Sequence, residues 1–158
     1  MATRMTTPPP LEEGDTVGIV APARSIKPEE VEPAICMIES WGLWVAVGQN
    51  LYKKHHQFAG TDQARAGDLQ QMLDDPNINA ILCARGGYGT LRTLQLLDFH
   101  HFAKHPKWII GFSDITALHT YINQHLHIKT LHAQMPLNFP KNGELTRSTR
   151  LLQRVLFG

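Results

Sequence analysis

Ser113 stands in Gly111-Phe-Ser-Asp114, directly after a short apolar run, Trp108 to Ile110. A serine hydroxyl does nucleophilic chemistry when it is exposed beside hydrogen-bond donors and a base takes its proton. Ile115, Leu118 and Ile122 follow at helical spacing. The stretch therefore reads strand, tight turn, helix, with one serine at the turn. That is the layout of a nucleophile elbow, which lifts Oγ above the end of a sheet. The unpaired amides at the next helix start, and the positive end of its dipole, favour a developing oxyanion. Ile115 stands where the second glycine of the usual G-x-S-x-G would be. A plain helix cap by Ser113 or Asp114 accounts for these residues equally well.

A second candidate is Ala84-Arg-Gly-Gly-Tyr-Gly89, which follows the apolar run Ala80 to Cys83. A glycine-rich turn between strand and helix presents open backbone N–H groups to an anion or oxyanion. The same glycines would serve a tight turn that needs positive φ. The segment lacks the G-K-[ST] of a P-loop and is not G-x-G-x-x-G.

These residues need a scaffold. Thr16–Ala21, Leu43–Val47, Ala80–Cys83, Trp108–Ile110 and Thr130–His132 read as strands. Helices are expected from Pro28 to Trp41, from Thr61 to Leu73, from Thr90 to about Leu97, after Ser113 to near His125, and from Leu145 to Leu156. Pro33 conflicts with the first, whose regular part is expected to begin near that proline. Alternating strands and helices predict an α/β fold with a mostly parallel sheet flanked by helices. In such sheets ligands bind at the carboxyl ends of the strands. Arg24, the Arg85 to Gly89 loop, Ser113 and His132 all follow strands, so they should gather on one rim.

The chain has 158 residues, 42% hydrophobic and 18% charged, with a formal net charge of +1. That suits one globular domain and calls for no nucleic acid or anionic membrane as partner. Apolar runs are too short to span a bilayer. Residues 1–13 read as a flexible polar leader without the apolar segment of a signal peptide. Cys36 and Cys83 read as reduced core residues, and the nine histidines mostly as surface residues. No cysteine or histidine spacing suggests a metal site.

Taken together, Val17-Gly-Ile-Val-Ala-Pro-Ala23, Gly60-Thr-Asp62 with Arg65 and Asp68-Leu69, Ala84-Arg-Gly-Gly-Tyr-Gly89, Ile110-Gly-Phe-Ser-Asp-Ile-Thr116 and the His132 segment resemble the N-terminal domain of the LD-carboxypeptidases, or muramoyltetrapeptide carboxypeptidases. The resemblance covers roughly Gly14 to Asn138 and implies a fold of the Rossmann-like or class I glutamine amidotransferase-like kind. It implies a cytoplasmic, cofactor-free serine peptidase of cell-wall recycling. Such enzymes release the terminal D-alanine of a murein tetrapeptide. Ser113 matches the nucleophile, and the N–H groups of Asp114 and of Gly86 or Gly87 match the oxyanion hole. Arg85 suits a substrate carboxylate or a structural ion pair. Tyr88 and His132 are expected beside the substrate.

The family's Glu and His come from a second, C-terminal domain that residues 14–158 do not match. His119, six residues after Ser113, is turned about 600° around its helix and should point away. His132 is the nearer histidine but has no base role in the family. His132-Ala-Gln-Met135 also departs from the expected His-Gly-Pro-Met. This chain alone is therefore expected to turn over very poorly. An apolar face left by the absent domain could drive association into a homodimer. Two alternatives stand beside this reading. One is an immunity-type peptidase of the same family acting on peptide-nucleotide antibiotics. The other is a non-catalytic peptide-binding module.

Overall fold

The computed structural model describes residues 4–158. Five strands form one parallel sheet: β1 (Thr16–Val20), β2 (Trp44–Val47), β3 (Ala80–Cys83), β4 (Trp108–Gly111) and β5 (Leu131–His132). Their order is β2-β1-β3-β4-β5. The chain leaves β1 in one direction for β2 and in the other for β3. This doubly wound order opens a crevice beyond the ends of β1 and β3.

Alternation along each strand builds two cores. Val17 and Ile19, Ala80 and Leu82, and Trp108 and Ile110 face one side. There they meet α1 (Pro28–Ser40) and α6 (Arg147–Phe157) through Val31, Ala34, Ile38, Leu152 and Leu156. Val20, Ile81, Cys83 and Ile109 face the other side. That side is covered by α2 (Asp62–Asp74), α4 (His100–Lys104) and α5 (Thr116–Tyr121), through Leu69, Met72, Phe102 and Leu118. The central strands β1, β3 and β4 are buried on both faces, which needs apolar residues at nearly every position, and they supply them.

Several boundaries differ from expectation. α1 runs continuously from Pro28 through Pro33. Pro28 occupies the first turn, where its missing N–H costs nothing, and the Glu30 carboxylate accepts from the Lys27 amide at 2.9 Å. Burial of Val31, Ala34, Met37 and Ile38 outweighs the bond lost at Pro33. α3 (Thr90–Leu94) is shorter than expected, and α4 was not foreseen. α6 begins after Thr146, whose side chain accepts from the Thr149 amide; Leu145 lies outside it and is exposed.

Residues 4–13 are docked rather than a loose leader, while residues 1–3 of that expected leader lie outside the described residues. The Thr6 amide donates to the His127 carbonyl, and the Leu11 amide to that of Leu156. Leu11 is buried, and Trp108 Nε1 donates to the Pro9 carbonyl. Buried apolar contact and paired backbone hold this segment, which composition alone reads as loop.

Candidate active site

β4 ends at Gly111, and the chain turns at once. Phe112 is extended, and Ser113 has φ +60°. A single 3₁₀ turn, Ser113–Ile115, leads into α5. A residue with a Cβ pays about 1–3 kcal/mol for a sparsely populated backbone conformation. Such strain persists only where the surroundings over-determine it. A Cβ on Gly111 would lie 2.9 Å from Ile115 Cγ2, so glycine lets the turn fold back on the strand. Ser113 itself is exposed.

Neither Ser113 nor Asp114 acts as a side-chain cap on its own helix. Asp114 Oδ2 instead accepts from the Thr90 amide at 2.9 Å, at the start of α3. This bond fastens the serine turn to the glycine loop that leads from β3 into α3. Gly87 and Gly89 have φ +104° and +125°, conformations open to glycine. Gly86 is needed for proximity. A Cβ there would lie 3.3 Å from both the Asp114 nitrogen and the Ser113 Cβ. Among the described residues, the amides of Gly86, Gly87 and Asp114 have no protein acceptor. Unpaired donors thus stand beside an exposed serine, the arrangement that stabilises negative charge on a tetrahedral oxygen.

The other rim residues gather as expected. The Arg24 amide donates to the Gly86 carbonyl at 3.4 Å, and its side chain lies across Gly87. Arg85 is half-buried, and its Nη1 donates to the Ser25 carbonyl at 3.2 Å. Among the described residues it has no carboxylate partner. Tyr88 is exposed, with its ring 5.9 Å from that of Phe58. His132 is exposed, with its ring 6.0 Å from Phe112.

Arg65 does scaffold work that its charge conceals. It is 1% exposed and donates to the carbonyls of Pro22 at 3.0 Å and Gly60 at 2.8 Å. It also bonds Asp62 at 2.6 Å. Asp62 is shared with Arg92, whose hydrogen bond is the main cause holding that carboxyl below the usual carboxylate range. Asp68 accepts from the amide and side chain of Asn50. These bonds fix the loops after β1 and β2 on α2. Position 65 lies on the inward face of Leu69 and Met72, which was the available signal.

His119 is not one of the surface histidines. It is buried on α5, and its Nε2 lies 2.9 Å from the Gly111 carbonyl oxygen. Burial pushes its pKa below the ordinary imidazole value. Residues 115, 118, 119 and 122 are one helical stripe, so its position was readable. Cys36 is exposed rather than core, because it lies off the buried stripe of α1. Cys83 is buried, and desolvation pushes its thiol up to about 12, leaving it inert at neutral pH.

A family model described as the LD-carboxypeptidase N-terminal domain matches residues 17–133. The chain belongs to the LD-carboxypeptidase family. It is 43% identical over 128 residues to a protein of Bacillus subtilis named probable murein peptide carboxypeptidase, covering 81% of this chain and 40% of that protein. It is 34% identical to the murein tetrapeptide carboxypeptidase of Pseudomonas aeruginosa, covering 90% of this chain and 49% of the relative. Among solved structures, the muramoyltetrapeptide carboxypeptidase of Oxalobacter formigenes superposes with a TM-score of 0.80 at 26% identity, over 90% of this chain and 48% of the other. An MccF-like protein from Bacillus anthracis superposes at 0.87 and 25% identity, over 97% and 47%. The chain spans about half the length, or less, of these relatives.

The elbow of this LD-carboxypeptidase domain is open on one side. No imidazole or carboxylate bonds Ser113 among the described residues. Beside it runs a groove lined by Phe112, Leu131, His132, Leu151, Leu152 and Val155. Leu151 and Val155 on α6 remain 49% and 48% exposed. Among the described residues, no helix is long and apolar enough to cross a membrane, and no three His, Cys, Asp or Glu side chains cluster to hold a metal.

Proposed function

We propose that residues 14–158 form the nucleophile domain of a serine LD-carboxypeptidase that removes the terminal D-alanine from murein tetrapeptides in the cytoplasm. The observation that carries this is the left-handed Ser113, held against Gly86, with the amides of Asp114, Gly86 and Gly87 unpaired among the described residues. Ser113 attacks the carbonyl carbon of the scissile L,D-peptide bond. The amides of Asp114 and of Gly86 or Gly87 bind the oxyanion that forms. One such donor lowers the barrier by about 2.7–4 kcal/mol. Arg85, which has no carboxylate partner among the described residues, receives the substrate's terminal carboxylate, with Tyr88 and His132 along the peptide.

A serine without a base is a weak nucleophile. The longer relatives support placing the Glu and His of the triad in a second domain beyond the part matched here. On this reading the 158-residue chain alone is nearly inactive. A second reading, cleavage of a peptide-nucleotide antibiotic, is favoured by the likeness to the MccF-like protein.

The test offers two substrates to this chain mixed with the remaining half of the Bacillus subtilis relative. One is a murein tetrapeptide, and the other is aspartyl sulfamoyl adenosine. Release of D-alanine with the nucleotide untouched supports the first reading, and the reverse supports the second. Binding of the tetrapeptide without cleavage, unchanged in Ser113→Ala, would leave a peptide-binding module.

A further inference from the structure

Gly111 is the last residue of β4, two positions before Ser113. Its carbonyl oxygen receives two donors. The Ala133 amide approaches from the chain just after β5 at 3.1 Å, and His119 Nε2 approaches from α5 at 2.9 Å. A carbonyl oxygen can only accept, so Nε2 must carry the hydrogen. The other ring nitrogen, Nδ1, is buried with no partner among the described residues. His119 is 6% exposed. A proton on Nδ1 would place an unpaired N–H and a positive charge in an apolar site. The His132 ring, 6.2 Å away, is the titratable neighbour that would oppose that charge further. One tautomer therefore satisfies the site: neutral, with hydrogen on Nε2.

Gly111 is also where the elbow begins. The strained φ of Ser113 needs a fixed strand end behind it. Ile115 packs on Gly111, and Asp114 is tied to Thr90. These hold the turn from the front and the side. The His119–Gly111 bond holds it from behind, joining α5 to the end of β4.

We infer that His119 is a positioning residue: as the neutral Nε2–H tautomer it clamps the Gly111 carbonyl and fixes the backbone that presents Ser113 and the Asp114 amide. Its importance for catalysis rests on the reading of Ser113 as nucleophile. The clamp itself does not, and it can be measured in this chain without turnover.

The experiment is nitrogen-15 NMR of the imidazoles in this chain, with amide hydrogen exchange in His119→Phe and His119→Gln. Phenylalanine keeps the ring volume and loses the donor, while glutamine keeps an N–H that can reach the carbonyl. The expected spectrum shows His119 as neutral Nε2–H at pH 7. The expected exchange rates at Ile115 and Ala133, whose amides donate to the Phe112 and Gly111 carbonyls, rise about tenfold in His119→Phe and stay near wild type in His119→Gln, for one hydrogen bond lost and restored. An Nδ1–H tautomer, an imidazolium at pH 7, or equal protection in both variants overturns the inference. If His119→Phe fails to fold, the tautomer in the wild-type spectrum still decides. A correct tautomer with D-alanine release surviving Ser113→Ala would keep the clamp and discard the nucleophile.

Discussion

Gly86 and Ser113 come from loops after different strands, yet a Cβ on Gly86 would stand 3.3 Å from the Ser113 Cβ. The same Cβ would stand 3.3 Å from the Asp114 nitrogen. Gly86 is not in a positive-φ conformation, so alanine there is not strained by its backbone. Its methyl group would push into the space where the oxyanion forms. Gly86→Ala should therefore still fold, with a lowered thermal midpoint, and, with the remaining half of the Bacillus subtilis relative added, lower kcat for D-alanine release about a hundredfold, the scale of a misplaced catalytic group. Unchanged kcat would show that the glycine loop does not border the reacting oxygen.

The strain at Ser113 has a thermodynamic signature. At φ +60°, glycine relieves the Cβ clash and alanine does not. Ser113→Gly should be about 1 kcal/mol more stable than Ser113→Ala in urea unfolding, with both inactive. Equal stabilities would mean the turn relaxes when the hydroxyl is removed.

Arg65 is buried with three distinct acceptors. Arg65→Met keeps much of the volume but leaves the Pro22 and Gly60 carbonyls without this donor. The expected cost is about 3–5 kcal/mol, as for one partner removed from a buried charged network. Urea denaturation of this chain checks it. A cost below 1 kcal/mol would show that water replaces the guanidinium.

Acid should destabilise the domain in two stages. His119 has a folded pKa below its unfolded value. As pH falls through the ordinary histidine value near 6.5, the unfolded chain takes up the proton first, so stability falls. Asp62 is also depressed in the folded state, by Arg92 first and Arg65 as well. Its contribution is present above the usual carboxylate pKa near 4 and is lost as pH falls through its folded value. In urea midpoints against pH, His119→Phe should flatten the upper segment and Asp62→Asn the lower. An upper segment unchanged by His119→Phe would contradict the neutral, buried imidazole.

The strands and the serine turn were legible because each apolar run is short, ends in glycine or a polar turn, and precedes a helical stripe. The rim followed from topology, since residues after parallel strands meet at one end of the sheet. Three features were hidden by residue type. Arg65 and His119 are polar residues on apolar stripes, and their burial depends on acceptors outside their own helices, the Pro22 and Gly60 carbonyls for Arg65 and the Gly111 carbonyl for His119. Residues 4–13 look like a leader because the partners that dock them, His127, Leu156 and the Trp108 indole, lie about a hundred or more positions away. The cap reading of Asp114 could not be set aside from sequence, because its partner, the Thr90 amide, belongs to another loop.

Ser113 is proposed as the nucleophile of a carboxypeptidase completed by a second domain. The most direct measurement is D-alanine release from a murein tetrapeptide, followed by mass spectrometry. Wild type and Ser113→Ala are compared, each alone and with the remaining half of the Bacillus subtilis relative. Almost no release is expected from either chain alone, release from wild type with the added half, and none from Ser113→Ala with it. Full release by the 158-residue chain alone, or release that survives Ser113→Ala, would contradict this proposal.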